Sequence, residues 1–325
     1  MMNQTSCTDA FARPNSAYRF FMSVIASALA GLPSHAQPAD EAYAPDAERP
    51  LLIAPGVLSS TMSEYSPTLD ATRGEIYFMR RTPGMFDYRI YTSRFRDGAW
   101  TEPTVAPFST GFRDAGPALS QDARTIVFDS RKPTDKLAAE SINLWTATRE
   151  TTDAPWSAPL LLRAASRNNP GDSTAEVDEF GPILDADGTL YFYSFRPPFR
   201  GGRHYRIDPA EPGVVLEAPE LPDPSASTFV GYLALNPEAT FAVIEGRSRT
   251  GRDTDLYLSR KDKHGAWSEP EPIDVINTRF GEGTPSLTAD GRYLLFGSDR
   301  PTNSDAAASG SNLYIISTAS IMGSD

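Results

Sequence analysis

Residues 281–300 read GEGTPSLTADGRYLLFGSDR. Pro285 and Leu287 lie in an extended segment, Asp290-Gly291 makes a tight turn, Tyr293-Leu294-Leu295-Phe296 is an apolar run, and Ser298 and Arg300 begin a polar loop. This order predicts strand, hairpin, strand and loop, because an Asp-Gly pair accepts the positive φ angles that short hairpins require. Everything upstream is read against this unit.

Working outward, the unit recurs as SPTLDATRGEIYFMRR from Ser66, GPALSQDARTIVFDSR from Gly116, GPILDADGTLYFYSFR from Gly181 and YLALNPEATFAVIEGR from Tyr232. Aligned on Leu69, Leu119, Leu184, Leu235 and Leu287, the copies are 50, 65, 51 and 52 residues apart. The fourth is the most degraded, with Leu233 in place of the proline and Pro237-Glu238-Ala239 in place of the turn. A third strand follows in each copy: Tyr88-Arg89-Ile90-Tyr91, Ile142-Asn143-Leu144-Trp145, His204-Tyr205-Arg206-Ile207, Asp255-Leu256-Tyr257 and Asn312-Leu313-Tyr314. A fourth is read in AWTEPTVAP from Ala99, PWSAPLLLR from Pro155, AWSEPEPID from Ala266 and, more weakly, GVVLEAPEL from Gly213. Four strands at this period predict the blade of an all-β β-propeller. The last copy has only three strands before the chain ends, and residues 49–55, RPLLIAP, look like the missing fourth. Five four-stranded blades follow, with the N-terminal strand completing the last and covering an edge that would otherwise invite pairing with another chain.

The Pro-x-Leu-Ser-x-Asp-Gly, Ser-x-Arg and Asp-Leu-Tyr elements of these copies resemble the WD40-like PD40 repeats of the TolB-like propellers. The resemblance covers residues 64–320 and is matched best by the fifth copy. It implies a propeller and leaves the activity open. TolB also carries an extra N-terminal domain and a larger propeller, for which this chain has no room, so its role in envelope complexes does not transfer.

The 13 residues 20–32, FFMSVIASALAGL, are apolar, follow Arg13 and Arg19, and precede Ser34-His35-Ala36. That pattern predicts a secretory signal peptide over 1–36, since a membrane span needs about 20 apolar residues. Residues 37–48, rich in Ala, Pro and acids, form a flexible lead-in, 49–320 the propeller and 321–325 a C-terminal tail. Cleavage after Ala36 removes Cys7, the only cysteine, and with it any internal disulfide or thiol nucleophile. The mature protein is expected in the periplasm with no transmembrane segment. A formal charge of −12 argues against a nucleic-acid partner, because phosphate binding requires a basic face.

No nucleophile elbow, Walker loop, HExxH or strand-following GxGxxG occurs, and only His204 and His264 remain after the leader. His264 is expected in a solvated turn, Trp100, Trp156 and Trp267 at equivalent fourth-strand packing positions, and Trp145 as a packing residue in the third-strand place of Tyr91, Tyr257 and Tyr314. No metal site or cofactor is expected. The repeated chemistry is positional. Glu64, Asp114, Glu179 and Glu282 each stand three residues before the strand-opening proline, and the loops after the second strands carry arginines including Arg131, Arg196 and Arg300. These charges are expected at one mouth of the channel, either as carboxylate–guanidinium latches between blades or as a frame for a ligand. Arg196, Arg200 and Arg203 are expected to form a contact loop with Phe199. Paucity of motifs and the resemblance together lead to a non-catalytic platform that binds an envelope protein or a polar, anionic ligand. The alternative is a carbohydrate-active enzyme of the five-bladed glycosidase type, which needs only a separated pair of inner-strand carboxylates.

Overall fold

The computed structural model describes residues 48–81, 88–133, 141–165, 177–196, 202–222, 229–248, 253–302 and 310–323. The expected leader, nearly all of the lead-in, and Phe199 and Arg200 of the expected contact loop lie outside the described residues.

After β1 (Leu51–Leu52), blade 1 consists of β2 (Ser63–Asp70), β3 (Glu75–Arg81), β4 (Tyr88–Arg96), β5 (Ala99–Trp100) and β6 (Thr104–Val105). Blade 2 holds β7 (Asp114–Leu119), β8 (Thr125–Ser130), β9 (Asn143–Thr148) and β10 (Leu160–Leu161). Blade 3 holds β11 (Glu179–Leu184), β12 (Leu190–Ser194), β13 (Arg203–Ile207) and β14 (Leu216–Glu217). Blade 4 is β15 (Phe229–Leu235), β16 (Phe241–Arg247), β17 (Thr254–Arg260) and β18 (Glu271–Pro272). Blade 5 is β19 (Glu282–Leu287), β20 (Tyr293–Ser298) and β21 (Asn312–Ser317), followed by the short helix α1 (Thr318–Met322). Each blade is an antiparallel meander, and the fold is the expected five-bladed β-propeller.

The period of two along a strand explains why the second strands are apolar without alternation. Phe78 packs into a core shared with blade 5, whereas its neighbour Tyr77 packs into a core shared with blade 2. Phe192 likewise faces blade 2 and Tyr191 blade 4. One such core fills each of the five blade interfaces, so the ring is closed by packing as well as by pairing.

The ring is fastened where β1 pairs with β21, Leu51 opposite Ile315 and Leu52 opposite Tyr314. Behind it, Ile53 and the fully buried Leu58 enter the core between blades 5 and 1. A chain lacking residues 49–59 is therefore expected to melt far below the full chain, while removal of 37–48 leaves the melting point unchanged. Loss of Leu58 alone amounts to about 2–5 kcal/mol. Equal melting of the two truncations would show that the ring closes without this strand.

The outer strands are shorter than the sequence patterns suggest. In blades 2 and 4 the Trp-x-x-Pro segments contribute only Leu160–Leu161 and Glu271–Pro272, beyond the tryptophan. The tryptophans instead reach the preceding blade, where Trp156 Nε1 donates to Tyr77 Oη at 2.8 Å and Trp267 Nε1 to the Glu220 carbonyl at 2.7 Å. Packing dictates their place, as expected from their area, and proline, which has no N–H to donate, keeps the ladder short.

Every inner strand carries a bulge at the same height, between Tyr65 and Thr68, Ala115 and Ala118, Phe180 and Ile183, Phe229 and Leu233, and Gly283 and Ser286. The bulge residue turns to positive φ, +55° at Gly116 and +60° at Gly181 but also +46° at Ser66 and +49° at Thr284. Glycine adopts this conformation without steric cost, and other residues hold it only when their surroundings enforce it. At Ser66 and Thr284 the enforcement is visible. Ser66 N donates to Thr284 Oγ1 at 3.0 Å, and Thr284 N donates to Glu245 Oε2 at 2.7 Å.

Candidate functional site

The four acids singled out by position do gather at one end of the channel, and all four are fully buried. Glu64 accepts hydrogen bonds from Ser60 N at 3.2 Å and Ser60 Oγ at 2.6 Å, and pairs with Arg80 Nε at 2.9 Å. Glu282 repeats the arrangement with Thr278 N at 3.0 Å, Thr278 Oγ1 at 2.7 Å and Arg300 Nη2 at 3.3 Å. Glu179 pairs with Arg196 Nη2 at 3.2 Å, and Arg196 also donates to the Ala165 carbonyl. Asp114 is held by hydroxyls instead, Ser109 Oγ at 2.7 Å and Ser130 Oγ at 2.6 Å, with Thr110 N at 2.7 Å. Each carboxylate thus ties the loop entering its blade to the strand beside it. Burial raises the Glu64 and Asp114 carboxyls, and the donors around them pull the other way. With their oxygens engaged in this way, these acids act as latches.

The arginines divide. Arg80, Arg196 and Arg300 are latch partners, their guanidinium groups stacked near aromatic rings, Arg300 4.7 Å from Tyr314 and Arg196 4.9 Å from Tyr205. Arg131, expected as a latch, is exposed and forms no ion pair with Asp114. The residue that follows it takes the equivalent place, Lys132 Nζ lying 4.9 Å from the Trp145 ring. Arg203 is half-buried at the start of β13, its Nη1 donating to the Gly202 carbonyl at 3.1 Å. His204 is buried edge-on to Tyr193, and burial pushes its imidazole down to about 3, so it is a neutral packing residue. His264 is exposed in its turn, as expected.

Two carboxylates that the positional reading missed lie at the same mouth. Asp129 of β8 and Glu245 of β16 occupy the second-strand position held by Met79, Tyr193 and Gly297 in the other blades. The signal available in the sequence was an acid ending an apolar run, Ile126-Val127-Phe128-Asp129 and Val243-Ile244-Glu245. Asp129 is fully buried, and its Oδ1 accepts from Arg113 Nη1 at 2.8 Å. Its Oδ2 makes no hydrogen bond of ordinary geometry among the described residues, although the Gly181 amide approaches it. Burial raises this carboxyl, and Arg113 opposes the shift. Glu245 is 9% exposed, and burial lifts it to about 7 against the single Thr284 amide bond. Room for it comes from Gly283, where a Cβ would stand 2.8 Å from Oε2. Both carboxylates act on Tyr232, and together with burial they push its phenol up.

Aromatic rings complete the mouth. Phe180 lies 5.2 Å from Tyr193, 6.0 Å from Phe195 and 6.0 Å from Tyr232, centroid to centroid. Tyr65 and Tyr88 meet edge-on at 6.1 Å on blade 1. Among the described residues, no three His, Cys, Asp or Glu side chains converge as a metal ion would need.

No family model matches the chain, and no curated protein matches it. Solved structures do. The catalytic domain of the Coprinopsis cinerea GH62 α-L-arabinofuranosidase is 12% identical, with a TM-score of 0.52 over 83% of this chain and 98% of that one. A family 117 glycoside hydrolase of Zobellia galactanivorans is 13% identical, with a TM-score of 0.49 over 86% of this chain and 94% of that one. Likeness at this identity establishes the five-bladed ring. The expectation of a non-catalytic platform is set aside on one finding, that a solved chain sharing this ring over nearly its whole length is itself a glycoside hydrolase catalytic domain. The carbohydrate-active alternative is taken up below, and the inner-strand acids assigned to it are the ones already engaged in the hydrogen bonds and ion pairs given above.

Proposed function

We propose that the protein is a glycoside hydrolase whose proton donor is Glu245. The observation that carries this reading is a carboxyl lifted by burial to about 7 on the rim of an aromatic-lined mouth. A general acid has to hold its proton at the working pH, and a buried glutamic acid does so where a solvated one does not. Thr284 N fixes Oε2, which leaves Oε1 to face the leaving oxygen. Asp129, whose buried Oδ2 makes no hydrogen bond of ordinary geometry among the described residues, is the second carboxylate and removes a proton from the attacking water. Glu245 gives one proton to the leaving group, Asp129 takes one from water, and the sum is addition of water across the glycosidic bond.

The test is incubation of the protein with a panel of neutral oligosaccharides and aryl glycosides, with released sugars resolved by chromatography. Release from at least one member is expected, and a panel left intact would overturn the reading.

A further inference from the structure

We propose that Arg113 is the positioning residue that divides the two carboxylates between their roles, holding Asp129 as the charged proton acceptor while Glu245 stays the proton donor. This deepens the hydrolase reading and rests on it for the use made of the protons, but the division itself is argued from the geometry of the two acids. They sit in closely similar places. Asp129 stands opposite Leu144 and Glu245 opposite Leu256 on the third strands of their blades. Each lies against an inner-strand glycine whose Cβ would collide with it, Gly116 at 2.6 Å from Asp129 Oδ2 and Gly283 at 2.8 Å from Glu245 Oε2. The amide of the following blade's bulge reaches each of them, Gly181 for Asp129 and Thr284 for Glu245. They differ in one partner. Arg113 Nη1 donates to Asp129 Oδ1 at 2.8 Å, whereas Glu245 forms no ion pair among the described residues.

Arg113 is held in place from two sides. Its carbonyl accepts from Arg131 N at 3.0 Å, two residues beyond Asp129, so the guanidinium and the carboxylate start from segments that are tied together. Its guanidinium is largely buried and lies 6.0 Å from the Tyr88 ring of blade 1. A carboxyl in a dry site moves toward its neutral form unless a cation offsets the lost hydration. Around Asp129, the charge of Asp178 adds to burial, Asp114 and Tyr232 lie near enough to feel Asp129 in turn, and Arg113 is the cation that opposes them. Around Glu245, Tyr232 is the titratable neighbour on β15 and Leu256 on β17 is apolar. The other cations near the mouth are turned elsewhere. Lys132 lies over the Trp145 ring, Arg203 acts on Tyr193, and Arg81, Arg131, Arg247 and Arg279 are exposed. One guanidinium therefore separates two otherwise similar acids, the arrangement that assigns acid and base in a catalytic pair.

The experiment follows both carboxyls in the full chain by carbon-13 NMR, with their signals assigned from Asp129→Asn and Glu245→Gln. In the unsubstituted protein Asp129 is expected to be ionised at about pH 6, where Glu245 still holds most of its proton. Arg113→Gln should move the Asp129 inflection up by about 1–3 units and leave that of Glu245 in place, and Arg113→Lys, which keeps the charge, should restore most of the difference. The acid limb of hydrolysis should move with the Asp129 signal, whereas a merely structural pair would lower the melting point of Arg113→Gln and leave that limb where it was. A protonated Asp129 at about pH 6 in the unsubstituted protein, a result that needs no variant to fold, would overturn the proposal, as would an Asp129 inflection unmoved by Arg113→Gln. An inflection that depends on Arg113 in a protein that cleaves nothing would uphold the division of charge and remove the hydrolase. Cleavage whose acid limb ignores Arg113→Gln would remove the division and leave the hydrolase.

Discussion

Glu64→Ala is expected to lower stability by about 3–5 kcal/mol, the cost typical of breaking a buried ion pair from one side. The carboxylate is fully buried and its partner nearly so, with Arg80 Nε 2.9 Å away. Removing it strands the Arg80 charge, whose Nη2 still reaches the Val57 and Leu58 carbonyls at 2.9 and 3.1 Å, and leaves Ser60 N and Oγ without their acceptor. These groups join the N-terminal segment to blade 1, so the loss falls on the closure of the ring. In a protein of this size the melting point should fall by roughly 5–15 °C. Arg80→Ala should cost a similar amount and the double variant much less than the sum, because the two substitutions remove one interaction. Arg292→Ala is the matched control. Its pair with Asp290 is exposed on both sides, and such pairs contribute about 0–1 kcal/mol. Full additivity of Glu64→Ala and Arg80→Ala would show that the two are not a latch.

The sequence made the ring legible because a propeller repeats its grammar. The aligned leucines, the Asp-Gly turns and the unpaired last blade led to five sheets and to the strand that closes them, and Leu51–Leu52 pairs with β21 as read. The latch acids were legible for the same reason. Donors were written four residues upstream, Ser60 before Glu64 and Thr278 before Glu282 with both hydroxyl and backbone N–H, and Thr110 before Asp114 with its backbone N–H while the Ser109 hydroxyl adds to it, and that spacing is a second signature of the loop entering these blades. Arg131 shows where repetition misleads. It shares the Asp-Ser-Arg context of a latch, but the inward-stacking position is one residue further on, at Lys132. The candidate site was least legible because it breaks the repeat. Asp129 and Glu245 have no counterparts in blades 1, 3 and 5, and inside apolar strands they contradict the local pattern, as functional residues often do.

Glu245→Gln is expected to reduce turnover by about 10²–10⁴-fold, the usual contribution of a positioned general acid. The substitution keeps the shape and the Thr284 N–H acceptor while removing the transferable proton. It should also make the protein more stable in alkali. The folded carboxyl, at about 7, lies above its unfolded value of 4.5, so the native state binds more protons across that interval. The stability tied to this proton is fully present below pH 4.5 and is lost as pH rises through about 7. The difference corresponds to about 3 kcal/mol, which denaturant titrations of both proteins at pH 4.5 and pH 8 would resolve. A variant that loses both activity and stability at pH 8 would mark Glu245 as a structural hydrogen-bond partner.

The most direct measurement is the pH dependence of glycoside hydrolysis by the unsubstituted protein and by Glu245→Gln on the same substrate. The account predicts an alkaline limb with its inflection near 7 in the first, set by the Glu245 carboxyl, and at most about one-hundredth of that turnover with no such inflection in the second. Equal turnover and superimposable profiles would contradict it.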